Sequence, residues 1–264
     1  MNRIDATFAR LRQSGDKAFV AYVCAGDPDF DRSLEVLLAL ADAGADILEI
    51  GVPFSDPLAD GIVNQMAAER ALRAGMTTRK VLDLVRAFRH QRATPLVLFT
   101  YLNPVFTYGY QEFHRAAAAA GADGILLLDL PPDEAAQHTD LARGEGLLHI
   151  SLIAPTTPPA RAAQLAAAAE GFIYALSRTG VTGAHGAPSA SLPAQIAAIK
   201  QHSKVPVCVG FGISTPDQAR AVARAADGVI VGSALVKQIE LHPERAADAV
   251  RELAARLIAA VRGA

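Results

Sequence analysis

The chain has 264 residues, of which 51% are hydrophobic and 20% charged, and its formal net charge is -2. That length allows one large domain or two small ones, and the apolar share supports a sizeable core and excludes a disordered chain. Near-neutral charge leaves no polybasic footprint, so nucleic acid is not an expected partner. Cys24 and Cys208 make neither a disulfide framework nor a zinc spacing, so a reduced, cytoplasmic setting is expected. No run approaches the roughly 20 apolar residues that span a bilayer, so no membrane association is expected.

In chain order, a helix over 3–13 precedes the first strand-like run, Ala18–Ala25. Asp27-Pro28-Asp29 then opens a helix over 31–43. The run Ala45–Val52 leads into a long helical stretch over 62–91. Pro95–Leu102 is followed by a helix at 110–120, and Gly124–Leu130 by one at 133–145. His149–Ala154 precedes 160–169, and Gly171–Ser177 precedes 191–202. Val205–Gly210 precedes 215–225, and Gly228–Val231 runs through Gly232-Ser233-Ala234 straight into a helix. A longer helix over 243–262 closes the series.

Runs such as ILEIGV and GILLLDL are apolar on both faces, as in a parallel sheet covered on both sides. Eight strand–helix units predict an α/β fold, a (β/α)8 TIM barrel with an extra N-terminal helix, as one domain over 1–264. An open doubly wound sheet is the alternative, disfavoured because no Gly-x-Gly-x-x-Gly follows the first strand. In a barrel the loops after the strands' C-terminal ends build the site.

Glu49 stands inside the apolar run Ile47-Leu48-Glu49-Ile50, and no strand carries an interior base to pair with it. Burial disfavours its charged form and suits it to general acid work. Asp60 follows on a Pro- and Asp-rich loop and can return toward Glu49, so that two carboxylates divide acid and base roles. Locally, Asp60-Gly61 reads at least as well as a turn or a helix cap. Asp56 adds a third acid, but no His or oxygen-rich cluster joins it, and no metal site is expected. Glycine-rich loops follow the last three strands: 177–190, Gly210-Phe211-Gly212-Ile213-Ser214, and Gly232-Ser233-Ala234. The first reads as a lid, and the three together as a phosphate cradle of backbone amides and helix dipoles.

The segments Ala25-Gly26-Asp27-Pro28, LEIGVPFSDPLADG (48–61), TYLNP (100–104), DLPPDE (129–134), IAPTTP (153–158), LSRTGVTG (176–183), GFGIS (210–214) and GSALVK (232–237) together resemble the family of tryptophan synthase α subunits. The resemblance implies a (β/α)8 barrel that cleaves indole-3-glycerol phosphate to indole and glyceraldehyde 3-phosphate. It implies Glu49 as the acid–base carboxylate and Asp60 as the group that meets the indole nitrogen. Gly183, Gly212, Gly232 and Ser233 fall on the phosphate site, and Thr182 on the lid contact to Asp60. Tyr174 falls beside Glu49, and Tyr22, Thr100 and Ile153 line the indole pocket. No cofactor is implied on this chain; pyridoxal phosphate belongs to a β-subunit partner in an α2β2 assembly, toward which 53–61, 100–110 and 129–134 face. A stand-alone lyase and a non-catalytic activator of a β subunit are the alternatives, and the 48–61 segment argues against another phosphosugar barrel. Two positions depart from the family pattern: Cys24 stands in place of Thr, and Ile62 in place of Pro.

Overall fold

The computed structural model describes residues 1–264 except Pro132, 178–191 and Phe211. Its strands are β1 (Ala18–Cys24), β2 (Ile47–Gly51), β3 (Leu96–Thr100), β4 (Gly124–Leu127), β5 (Leu148–His149), β6 (Ser151–Ile153), β7 (Ile173–Leu176), β8 (Val207–Gly210) and β9 (Gly228–Val231). Each pairs in parallel with its neighbours in the order β5-β4-β3-β2-β1-β9-β8-β7-β6. β5 and β6 are two pieces of one barrel strand on either side of Ile150, whose N–H donates to the Ile125 carbonyl at 2.9 Å. The sheet therefore closes, and the expected eight-stranded barrel is present, with its fifth strand interrupted.

The helices are α1 (Arg3–Ser14), α2 (Phe30–Asp42), α3 (Ile62–Arg73), α4 (Thr78–Arg89), α5 (Leu102–Tyr108), α6 (Tyr110–Ala120), α7 (Ala136–Gly144), α8 (Pro159–Ala168), α9 (Leu192–Lys200), α10 (Pro216–Ala223), α11 (Ser233–Leu241) and α12 (Ala246–Arg262). The single stretch expected over 62–91 is two helices. Gly75 adopts φ +79°, a left-handed turn, and Thr77 caps α4 by accepting the Lys80 N–H. α5 was not anticipated; it occupies part of what read as the strand Pro95–Leu102 and the loop after it. Its first N–H, that of Leu102, donates to Asp129 Oδ1 at 2.7 Å. Asp29 caps α2 through the Arg32 N–H, so the helix start expected there is found one residue earlier than 31.

Burial follows the two-residue strand period. Outward residues such as Phe19, Leu48, Leu98 and Val229 pack under the helices in one continuous apolar layer. Inward residues Val20, Ile47, Val97, Leu126, Phe172 and Ile230 fill the barrel, and Ile4, Phe8 and Leu11 of α1 plug its lower end. Phe8 lies against Phe172 with ring centroids 5.9 Å apart.

An acid repeats before alternate barrel strands, a pattern the reading of the sequence overlooked. Asp46, Asp123 and Asp227 accept an N–H at the start of the neighbouring strand, from Phe19, Leu96 and Val207, at 3.0, 2.8 and 2.9 Å. Glu170 does the same, more loosely, for His149. Each acid also holds a base: Arg10 on Asp46, Arg3 and Arg89 on Asp123, Arg143 on Glu170 and Lys200 on Asp227. These latches close the lower end and leave the upper end free for chemistry. Among the described residues no helix is long and apolar enough to cross a membrane.

Candidate active site

β2 carries Glu49 inward because Ile47 and Gly51, two positions away on either side, face the same interior. Register sets Glu49 beside Tyr22 on β1 and Val97 on β3. The residue is 0% exposed, and neither carboxylate oxygen has a hydrogen-bond partner among the described residues. Burial alone therefore pushes its pKa up to about 8, so the side chain is a neutral acid at pH 7. Two glycines make room for the tyrosine hydroxyls at this level of the barrel. A Cβ at Gly51 would strike the Tyr22 hydroxyl, and one at Gly210 would lie 2.5 Å from the Tyr174 hydroxyl. Both tyrosines are buried, and charge on Glu49 or Asp60 would disfavour their ionisation. Phe99 stands between them, 5.0 Å from the Tyr22 ring and 6.4 Å from that of Tyr174.

Asp60 arrives from the loop between β2 and α3. Its N–H closes a turn on Pro57, but Gly61, not Asp60, is the N-cap of α3, and no side chain caps that helix. The carboxylate instead turns inward. Tyr101 donates its hydroxyl to Oδ2 at 2.8 Å, and the Asn64 amide donates to Oδ1 at 3.3 Å. The Tyr101 oxygen accepts the Ala59 N–H at 3.0 Å, which ties the acidic loop to the end of β3. Burial raises the Asp60 pKa, while the bonds from Tyr101 and Asn64 lower it; burial dominates. Neither Tyr101 nor Asn64 was picked out from the sequence. Tyr101 lies within the quoted TYLNP segment, and Asn64 stands one helical turn after Asp60.

A cavity of about 160 Å³ opens beside Asp60; Glu49, fully buried, is not among its lining residues. Tyr22, Asp60, Tyr174, Gly212, Gly232 and Ser233 line it, so six of the expected site residues converge. Asn64, Phe99, Leu128, Leu152 and Leu176 add walls that were not anticipated. Thr100 and Ile153, expected in the pocket, are buried and are not among its lining residues. Thr182 and Gly183, with the rest of the expected lid beyond Ser177, lie outside the described residues.

The far end of the cavity meets the start of α11. Gly232 is its N-cap and has no side chain to satisfy the first amides, so the helix presents N–H groups and the positive end of its dipole. Gly212 holds φ +78°, a left-handed backbone that favours glycine. No Lys or Arg lines the cavity among the described residues, which fits an anion held by amides. Among the described residues no group of His, Cys, Asp and Glu is arranged to hold a metal. A larger cavity, about 660 Å³, lies between α7 and α8 and shares Leu128 and Leu152, but neither acid lines it.

Comparison with known proteins agrees with this geometry. The family model described as tryptophan synthase alpha chain matches residues 8–262. The tryptophan synthase alpha chain of Opitutus terrae is 48% identical, over 98% of each chain. That of Geobacter sulfurreducens is 50% identical, over 96% of each. Among solved structures, tryptophan synthase subunit alpha from Legionella pneumophila is 39% identical and superposes with a TM-score of 0.90 over 100% of both chains. A Mycobacterium tuberculosis tryptophan synthase structure gives a TM-score of 0.92 at 39% identity, covering 99% of this chain and 98% of that one. The chain belongs to the tryptophan synthase alpha chain family, lyases of tryptophan biosynthesis that carry no cofactor of their own.

Proposed function

We propose that this chain cleaves indole-3-glycerol phosphate by a retro-aldol step, with Glu49 as proton donor and Asp60 as the partner of the ring nitrogen. The observation that carries the reading is Glu49: a fully buried carboxyl, neutral at pH 7 and without a hydrogen-bond partner among the described residues, paired in register with Tyr22, which lines the same cavity as Asp60. The bond to break joins indole C3 to the glyceryl chain. Glu49 delivers a proton to C3, and the ring becomes a cation centred on N1. Asp60 accepts the N1–H and stabilises that charge. The glyceryl hydroxyl next to C3 then gives its proton to the Glu49 carboxylate as the carbon–carbon bond breaks. The bonding pair returns to the ring, indole leaves, the aldehyde of glyceraldehyde 3-phosphate remains, and Glu49 is protonated again. The phosphate sits against the Gly212, Gly232 and Ser233 amides; Gly183 and Thr182, to which the family resemblance gives the same phosphate and a contact to Asp60, lie outside the described residues. Tyr22 and Tyr174 shape the ring pocket, with Phe99 between them. We read 1–264 as one domain, supported by an apolar layer that runs continuously around the barrel.

The partner is a tryptophan synthase β subunit, in an α2β2 assembly in the cytoplasm, and the β subunit supplies the pyridoxal phosphate. Exposed apolar side chains support this docking: Leu58 on the acidic loop, Ile62 at the start of α3 and Phe106 on α5 are 88%, 64% and 65% exposed. A surface so apolar at the upper rim is suited to burial against another subunit. Indole release from indole-3-glycerol phosphate by the purified chain, with and without a β subunit, tests the reading. No release in either case would refute it. Full release that a β subunit leaves unchanged would instead favour a stand-alone lyase.

A further inference from the structure

Asn64 sits where neither helix propensity nor core packing asks for an asparagine. It lies in the first turn of α3, only 7% exposed, and lines the cavity. Asparagine is a poor helix former, and a buried acceptor without a donor is destabilising. Yet Oδ1 of Asn64 is buried with no hydrogen-bond partner among the described residues. Its Nδ2 donates to Asp60 at 3.3 Å, which also settles which end of the amide is which. Turning the amide over would set two acceptors against each other. The arrangement leaves one buried acceptor beside Asp60, on a residue that lines the cavity, with nothing to accept from among the described residues.

We propose that Asn64 contacts the substrate directly, its Oδ1 accepting the indole N–H together with the Asp60 carboxylate. This rests on the reading of the cavity as an indole-3-glycerol phosphate site. The two acceptors form a fork around one polarised donor. As C3 is protonated the N1–H becomes more acidic, and both bonds strengthen in the transition state. The length of the Asn64–Asp60 bond leaves the amide room to tilt toward the ring. The fork also makes Asn64 a specificity residue: a bicyclic ring without the N–H leaves the acceptor unpaired, and sites built this way reject such analogues strongly.

The test measures binding of two unreactive probes, the 3-propyl phosphate of indole and that of benzothiophene, in which sulfur replaces the N–H. The full chain should bind the indole probe about tenfold or more tightly than the sulfur one, the loss expected for a hydrogen bond to a charged partner. Asn64→Leu should cut that preference at least threefold. It should cut it again in an Asp60→Asn background, where a residue acting only through the Asp60 charge would have no further effect. Asn64→Ala, the better helix former, serves if the leucine variant does not fold. A preference unchanged within twofold by Asn64→Leu in either background overturns the proposal. If the parent releases indole from indole-3-glycerol phosphate but shows no N–H preference, the role of Asn64 falls alone. If the parent neither cleaves the substrate nor binds the indole probe, the functional reading falls with it.

Discussion

Replacing Glu49 by Gln should destroy activity and stabilise the fold, by an amount that depends on pH. In the unfolded chain the carboxyl ionises near its ordinary value of 4.5, whereas in the barrel it stays protonated up to about 8. Between those values the folded state binds a proton that the unfolded state has lost, so stability falls as pH rises through the window. At about 1.36 kcal/mol per pH unit the penalty reaches about 3 kcal/mol at pH 7 and about 5 kcal/mol above pH 8. Gln has nearly the shape of the neutral acid and does not titrate. The variant should therefore match the parent near pH 4.5 and exceed it progressively above. Urea unfolding of both proteins at pH 5, 7 and 8.5, with indole release measured alongside, reads both effects. General acid–base groups are worth about 10²–10⁴ in rate, so release should drop by at least that much. A stability difference that is flat across the three pH values would refute the neutral buried acid. Near-normal indole release would remove Glu49 from the mechanism.

In the parent, turnover should decline as pH rises through about 8, because the proton donor is lost there; a rate that rises instead would contradict the assignment. Gly210→Ala places a methyl 2.5 Å from the Tyr174 hydroxyl. It should cost about 1–3 kcal/mol of overpacking and reduce indole release, with partial recovery on adding Tyr174→Phe; undiminished release by the single variant would show that Tyr174 has free room. Gly232→Val brings a side chain to the Tyr22 ring, where even a Cβ would lie at 3.1 Å. Glycerol phosphate affinity, read by calorimetry, should fall more than thermal stability does, and equal binding would refute the amide cradle. Asp123→Ala strands Arg89 and the Leu96 N–H and should destabilise by about 3 kcal/mol or more. Asp217→Ala removes an ion pair whose acid is 94% exposed, and its unfolding curve should stay within about 0.5 kcal/mol of the parent.

The fold class was legible because its signals are local. Strands covered on both faces read as unbroken apolar runs, and eight such runs alternating with helices leave few architectures. Glu49 was legible for the same reason: an acid among Ile47, Leu48 and Ile50 breaks a short-range pattern, and that break survives into the structure as a buried carboxyl with no hydrogen-bond partner among the described residues. Asp60 was ambiguous, since Asp-Gly chemistry suits a plain turn. Its backbone does make the turn, and its side chain does something a turn does not require.

What the residues determined by themselves was the periodicity of burial, the glycine positions and the motifs that carry the family resemblance. Only the tertiary structure decided which polar groups meet. Tyr101 reaches Asp60 across 41 positions, and Asp123 holds Arg3 across 120. Propensity and spacing say nothing about such pairs, because they form only once the barrel closes and brings distant strand ends within 3 Å. The same holds for the break at Ile150, which follows from how β4 and β7 approach the fifth strand, and for Asn64. It is an ordinary helix residue in one dimension and comes to line the cavity only when α3 packs against β1 and α11.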